Sequence, residues 1–343
     1  MKFTGMKIYS CCINIENDLR KEIDSSSVKS ETCPFCGKES KYIDSEEISN
    51  LIRKVLDYLV PSENGAIDLQ SLFCKDIRIF CNESIDRLKY YLNDSNCDFN
   101  IKYDYNEEIR QVIEDWDSFK KEVKTVRRYT IFDRYLDEKG WDALLKDDNL
   151  IFDLSPTTSL YRSRIHDKLV EKAYDSSEML PPNPNYGDGR AHSRGIPCIY
   201  LSREPDTTLY ETRVSKLDNV TIAEININSK KRIFDLASSI RCFLNSKSDV
   251  STTLRRNLLL TKISEELSKP IHRHDSPIEY IPTQIICEYI IYLNEVDGIQ
   301  YSSSMKNKGT NIALFKFNST DINMKNIDLF SVDDVMISYG KKS

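Results

Sequence analysis

Between Gly187 and Arg213 the chain reads GDGRAHSRGIPCIYLSREPDTTLYETR, a segment in which charge, turn chemistry, a strand and a helix start lie close together. Gly187 and Gly189 bracket Asp188 in a loop, Arg190 follows, and Gly195 and Pro197 break the chain again before the apolar run Ile199-Tyr200-Leu201. That run predicts a short buried strand. Pro205 suits the first turn of a helix, where its missing N–H costs nothing, and Leu209, Tyr210, Glu211 and Arg213 fall on that helix. Arginines and a glutamate therefore converge on one strand end. Guanidinium forks match anionic groups bidentately, and a carboxylate beside them adds fixed negative charge. The bland alternatives are a solvated helix face for Glu211 and Arg213 and a core aromatic for Tyr200.

The elements that must position these residues mix short strands with helices. Val220 to Ile227 alternates as a strand does, Arg232 to Leu236 and Ala313 to Phe317 are shorter candidates, and Ile299 to Tyr301 leads into Ser302, Ser303 and Ser304. Thr283 to Leu293, opened by Pro282, reads as a buried helix. Strands and helices do not alternate regularly enough for a doubly wound sheet, and no GxGxxG loop opens a helix.

Upstream, Ile48 to Asp148 carries apolar residues at helical spacing in four blocks. Leu51 to Val60 closes at Pro61, Leu69 to Leu92 forms the second, and Glu107 to Val126 places Ile109, Val112, Ile113, Trp116, Phe119 and Val123 on a stripe. Phe132 to Leu145 is a short fourth, broken by Gly140. These read as core stripes, and none holds residues catalytic in type.

Ahead of them, Cys33-Pro34-Phe35-Cys36-Gly37 is a CxxC followed by glycine, the usual knuckle in which backbone N–H groups turn toward thiolates. Its partner pair would be Cys11-Cys12. Adjacent cysteines seldom share one ion, and Asn14 and Ile15 stand where a second CxxC would need its other thiol. Cys11, Cys12, Cys33 and Cys36 are thus candidate ligands of a structural zinc, with free thiols of a reducing compartment as the alternative.

The length of 343 residues allows two domains, and 40% hydrophobic with 30% charged residues is globular composition. A net charge of −6 offers no overall basic field, so nucleic acid is not expected as a partner. The start MKFTGMKIYSCC lacks an apolar signal core, and no stretch approaches the length of a membrane-spanning helix. A cytoplasmic protein with no membrane partner is the expectation.

The Gly187–Arg213 pattern of GR, a spacer, GIP, a strand ending near Tyr200 and an E-x-R helix resembles the RES domain, a toxin family named for its Arg, Glu and Ser. LYRSR at Leu160 to Arg164, PTQIICEYI, DGIQYSSS from Asp297 to Ser304 and GTNIALF from Gly309 to Phe315 follow the family's order. The cysteine-bearing segment resembles the HEPN/RES N-terminal domain often fused to it. These resemblances imply an α+β protein. Residues 1–150 would form a helical N-terminal domain, with the cysteines in 1–45 and the helices in 46–150. Residues 155–343 would form an ADP-ribosyltransferase-like split antiparallel sheet with flanking helices.

The RES resemblance further implies NAD as substrate and cleavage of its nicotinamide–ribose bond by water or phosphate, with ADP-ribosyl transfer to a macromolecule as the alternative. A zinc-containing recognition module with an inactive RES scaffold is the reading from another class. On the first reading Glu211 stabilises the oxocarbenium-like cation, and Arg162 and Arg190 grip the pyrophosphate. Tyr200 stacks on nicotinamide, and Ser303, or its neighbour Ser302, orients ribose or phosphate. Arg164 and Arg194 are competitors for the arginine roles. His192 reads as a loop residue contacting ligand or solvent, and His272 and His274 as part of an acceptor or phosphate pocket. A toxin or antiphage effector is implied, a homo-oligomer controlled by its N-terminal domain, an antitoxin or a phage-derived trigger. All four histidines lie beyond residue 165, so the arginine–histidine pair common to HEPN ribonucleases is missing from the N-terminal half.

Overall fold

The first hundred residues mix short strands with helical turns, where spacing alone predicts helices from Ile48 onward. The structure is a computed structural model and describes residues 7–14, 18–44, 50, 53–77, 79–80, 85–92, 98–131, 134–136, 140–181, 187–237, 249–269, 277–303 and 309–335. Its contacts group Met1–Phe119 with Ser239–Lys262 in one unit and Lys120–Ser238 with Ile263–Ser343 in another.

In the first unit β1 (Lys7–Tyr9), β2 (Ser30–Thr32) and β3 (Glu39–Asp44) form an antiparallel sheet in the order β1-β3-β2, beside helix α1 (Asp18–Ser26). The helix expected over Leu51 to Val60 gives way to a 3-10 turn, Val55–Tyr58, and then to β4 (Leu59–Pro61), which pairs with β5 (Tyr103–Tyr105). Pro61 cannot extend a helix, and the backbone before it finds strand partners instead. Leu69 to Leu92 likewise holds one helical turn, Leu69–Ser71, a π-helical stretch, Leu72–Asp76, and helix α2 (Ile85–Tyr91). Among the described residues, the segment 46–150, expected to be helical, thus also contains the short β4–β5 pair, and the cysteine-containing segment 1–45 holds a three-stranded sheet.

The third block does fold as its periodicity demands, as α3 (Glu107–Thr125). Asn106 caps it by accepting from the Ile109 N–H at 3.2 Å, Glu107 and Glu108 occupy the positive end, and Ile109, Val112, Trp116, Phe119 and Val123 are buried. Among the described residues the fourth block holds one helical turn, Asp142–Leu145. The core of the first unit gathers Ile8, Leu19, Phe73 and Ile109 around Phe80 stacked on Tyr91 at 5.1 Å.

The second unit is built on an eight-stranded sheet. Its strands are β6 (Ile151–Leu154), β7 (Leu160–Ile165), β8 (Ile199–Ser202), β9 (Asn219–Ile227), β10 (Lys231–Asp235), β11 (Gly298–Ser302), β12 (Thr310–Leu314) and β13 (Ile322–Ser331). The order is β13-β9-β7-β8-β12-β11-β10-β6, and every pair is antiparallel except β10 with β11. Helices α4 (Pro205–Thr212), α5 (Val250–Ser268) and α6 (Ile281–Asn294) complete the set used below, α5 being divided between the units. The buried faces of Leu160, Ile199, Leu201, Ile225, Ile233 and Ile312 make its core.

The expected strands at Ile199, Val220, Arg232 and Ile299 are present, as is the helix at Thr283. The one expected at Ala313 to Phe317 is displaced to Thr310–Leu314, because the Phe315 and Lys316 N–H groups turn away to the Asp297 carbonyl. No described helix is long and apolar enough to cross a membrane. In the middle of the sheet β7 and β8 share a single register pair, Tyr161 opposite Ser202, whereas β7 pairs with β9 over six residues. The sheet is loosely joined there, and the candidate site lies at that joint.

Candidate active site

A cavity of about 310 Å³ opens at the β7–β8 joint, lined by Tyr161, Arg162 and Ser163 of β7, Tyr200, Leu201 and Ser202 of β8, and Thr208, Glu211 and Thr212 of α4. Arg190, Tyr301 and Asn311 close it. Three tyrosines and a few convergent polar groups in a space of this size fit a bound organic ligand.

Helix α4 has Pro205 at its start and ends on Arg213, whose φ of 56° turns the chain into the left-handed region. Glu211 therefore stands in the last turn, at the negative end of the helix dipole, a placement that costs about 0.3–1 kcal/mol near a surface. Two donors hold it there: Ser303 Oγ at 2.6 Å and Asn311 Nδ2 at 2.8 Å, both to Oε1. Ser303 sits just past β11, with its N–H on the Gly309 carbonyl. Ser302 belongs to the other face, its Oγ toward the Ala237 carbonyl at 3.5 Å, so it does not join the cavity. Ser304, His272 and His274 lie outside the described residues.

Arg162 donates from Nη1 to the Tyr200 carbonyl at 3.1 Å, and its buried Nε has no hydrogen-bond partner among the described residues. Burial pulls the guanidinium below its ordinary value, and the nearby Arg164 charge adds to that. A desolvated cation with spare donors facing a cavity suits an anion. Arg190 donates from Nη1 to the Leu267 carbonyl at 2.8 Å, near the end of α5, and also lines the cavity. The competitors are placed elsewhere: Arg164 lies over the Tyr174 ring and donates to the Glu178 carbonyl, and exposed Arg194 pairs with Asp188.

Tyr200 is held at its hydroxyl, which accepts from the Ala191 N–H at 3.1 Å and meets His192 Nδ1 at 3.0 Å. Burial pushes its phenol far above the ordinary range. Gly189 approaches so closely that an added Cβ would stand 2.2 Å from the Tyr200 hydroxyl oxygen and 2.6 Å from His192 Nδ1. His192 is buried, which corrects the expectation of a ligand- or solvent-facing loop residue; it is a strut between the loop and Tyr200. Burial lowers its pKa below the usual histidine value.

Asn311 was not singled out in the sequence, although it stands inside the GTNIALF run. A polar residue in a buried, otherwise apolar strand is the signal that pointed to it. Ser163 carries no such signal, standing between Arg162 and Arg164, yet it is buried and bonds the Thr208 carbonyl at 2.9 Å and Thr212 Oγ1 at 3.2 Å, tying β7 to α4.

The family model described as RES domain matches residues 159–331. The chain belongs to the RES domain family. The match begins next to β7 and ends on the last residue of β13, so the RES domain contains the whole cavity. One solved structure, "Crystal structure of the M.tuberculosis MbcT-MbcA toxin-antitoxin complex", is 10% identical and is matched over 57% of this chain and 93% of that one, with a TM-score of 0.31. At that score the likeness carries no weight. No curated protein matches the chain.

Outside the RES domain, four cysteines of the first unit, Cys11, Cys12, Cys33 and Cys36, come close together. Cys11 Sγ lies 3.4 Å from Cys36 Sγ, and Cys12 Sγ lies 3.5 Å from Cys33 Sγ. The Cys11, Cys12 and Cys33 sulfurs all fall within 4.8 Å of one another. Adjacent Cys11 and Cys12 reach one cluster because Ser10–Cys12 is a 3-10 turn, not a strand that would aim them to opposite faces. A disulfide needs sulfurs about 2.05 Å apart, whereas thiolates around a tetrahedral zinc with Zn–S near 2.3 Å stand about 3.8 Å apart. The observed spacing is too long for a disulfide and close enough for the sulfurs to share an ion or to contact as thiols. Burial raises Cys11 to about 11. Cys33 is buried as well, but N–H groups of Phe35 and Cys36 and the neighbouring thiols bring it below its ordinary value. Gly37, at a φ of 70°, completes the knuckle turn.

Proposed function

We propose that this RES-domain protein cleaves NAD between nicotinamide and ribose. The observation that carries the reading is the Glu211 carboxylate, held through Oε1 by Ser303 and Asn311 on a cavity that Arg162 and Arg190 also line. The anomeric C–N bond breaks and its electron pair leaves with nicotinamide. The positive charge on the pyridinium nitrogen passes to the ribose as an oxocarbenium-like centre, which Glu211 stabilises. Water then attacks the anomeric carbon and releases a proton, giving ADP-ribose; phosphate as acceptor would give the 1-phosphate. Arg162 and Arg190 would hold the pyrophosphate, Tyr200 would wall the nicotinamide, and Ser303 would orient the ribose through Glu211. The sheet, loosely joined at β7–β8, supports the split antiparallel architecture implied for this domain.

In biological terms the reading is a toxin or antiphage effector whose depletion of NAD an antitoxin or a trigger would control, with residues 1–150 as a HEPN/RES-type control domain. The sulfur cluster favours a structural zinc held by Cys11, Cys12, Cys33 and Cys36, which would pin the N-terminal segment to its unit.

The test is NAD consumption by purified protein, with product masses recorded with and without phosphate and with a macromolecular acceptor mixture. Glu211→Gln is the control: it keeps shape on an exposed helix end and is expected to lower kcat by about 10²–10³-fold. Free ADP-ribose, its phosphate ester or a labelled macromolecule would name the acceptor. Intact NAD at every protein concentration, despite measurable NAD binding, would overturn cleavage in favour of a recognition module.

A further inference from the structure

The Glu211 carboxylate is held by a polar residue from the centre of the sheet. Asn311 lies on β12, in register with Ser202 of β8 on one side and Tyr301 of β11 on the other, and all three line the cavity. Its side chain is buried, so both ends of the amide need partners. Ser202 Oγ donates to Asn311 Oδ1 at 2.7 Å, and Asn311 Nδ2 donates to Glu211 Oε1 at 2.8 Å.

An amide has a fixed polarity, and this chain uses it. With its oxygen end occupied by Ser202, the nitrogen end is the one that faces Glu211, and Glu211 meets it as an acceptor. Ser303 approaches the same Oε1 from the end of β11. Two donors converging on one oxygen, one from β12 and one from just past β11, fix the rotation of the carboxylate plane. Among the described residues they leave Oε2 without a hydrogen bond. Glu211 stands exposed on the last turn of a short helix, so these two bonds select one orientation among its open rotamers.

We propose that Asn311, set by Ser202, is a positioning residue that presents the Glu211 carboxylate to the reacting ribose; the inference rests on the NAD-cleaving reading of the same site. It predicts that the Ser202–Asn311–Glu211 chain acts on the chemical step and not on substrate capture. Asn311→Asp is the informative variant because it changes almost no volume. It sets a second carboxylate against Glu211, and two carboxylates at hydrogen-bond distance hold one proton between them.

The experiment compares native protein with Asn311→Asp, Asn311→Ala and Ser202→Ala in two readouts. The first is NAD turnover across pH. Asn311→Asp and Asn311→Ala are expected to lose about 30–100-fold in kcat with KM within about threefold, and Ser202→Ala about 3–10-fold, the scale of a misplaced reacting group. In Asn311→Asp the acidic limb of the profile should also move to higher pH. The second readout is the carbon-13 titration of the Glu211 side-chain carboxyl, which needs no substrate. It should move to higher pH in Asn311→Asp.

If native protein leaves NAD intact, the cleavage reading falls, while a moved titration still supports Asn311 as the partner that sets Glu211. An unmoved titration with native kcat in both Asn311 variants overturns the proposal. So does a loss confined to KM. Melting temperatures of each variant separate misfolding from mispositioning, and Asn311→Asp, the closest in shape, decides if the alanine variant does not fold.

Discussion

Arg162 and Tyr200 fasten the loosest joint of the sheet: the Arg162 guanidinium on β7 donates to the Tyr200 carbonyl on β8 at 3.1 Å, next to the only register pair those strands share, Tyr161 with Ser202. The same guanidinium keeps a buried Nε without a partner among the described residues. One side chain thus joins the two parts of the sheet and offers donors to the cavity between them.

Replacing Arg162 by Lys tests both roles. Lysine has no planar fork and reaches the carbonyl as a point charge. NAD affinity should fall about tenfold or more, because one ammonium cannot hold the carbonyl and an anion in the cavity together, while stability drops by less than the ~1.5–3 kcal/mol of a hydrogen bond to a charged group, since that bond is kept in weaker form. Calorimetric binding and denaturant unfolding measure the two losses. Unchanged affinity would remove Arg162 from the substrate site.

Gly189→Ala should destabilise the loop. Its Cβ would stand 2.2 Å from the Tyr200 hydroxyl oxygen, and that hydroxyl is already fastened to Ala191 and His192. A cost of about 1–3 kcal/mol is expected for such overpacking. Tyr200→Phe removes the clashing oxygen, so the double variant should recover part of the loss in urea unfolding. A silent single substitution would mean that the loop moves freely.

Acid should loosen the same loop through His192. Its folded pKa is depressed by burial, so the unfolded chain binds the extra proton first and stability falls as pH drops through the ordinary value of 6.5 toward the folded value. Above 6.5 both states are neutral and the contribution is flat. Hydrogen exchange of residues 187–195 between about pH 5 and 8 should show protection lost on the acid side. His192→Gln should flatten the dependence while keeping a polar contact to Tyr200.

Metal analysis addresses the sulfur cluster. One zinc per chain is expected, lost in Cys33→Ser, with chelation lowering the melting temperature because the ion's binding energy stabilises only the folded unit. Four readily titrated thiols in a metal-free protein of unchanged melting temperature would assign the cluster as free cysteines.

How much of this was legible in the sequence depends on how local the signal is. The stripe from Ile109 to Val123, with Asn106 before it, contains its own period and its own cap, and it folds as α3. Val220 to Ile227 alternates and folds as a strand. Pro205 and the E-x-R turn place Glu211 on a helix end by local chemistry alone, and the ordered RES pattern named the arginines, the tyrosine and Ser303. Leu59-Val60-Pro61 looked helical by spacing and became a strand because Tyr103–Tyr105, more than forty residues away, supplied hydrogen-bond partners. No local period records such a partner.

The sequence by itself determined the residue types of the site, the turns and helix start that carry them, and membership in the RES domain family. Only the tertiary structure decided that Asn311 and Ser303 meet Glu211 on one oxygen, that Ser302 faces away, that His192 is buried against Tyr200, and that adjacent Cys11 and Cys12 reach one cluster. The physical reason is common to all four. Strand register for Asn311 and Ser302, the Gln284 bond to the His192 carbonyl and the Cys11 N–H bond to Ser40 set which way these side chains point, and each reaches a distant part of the chain.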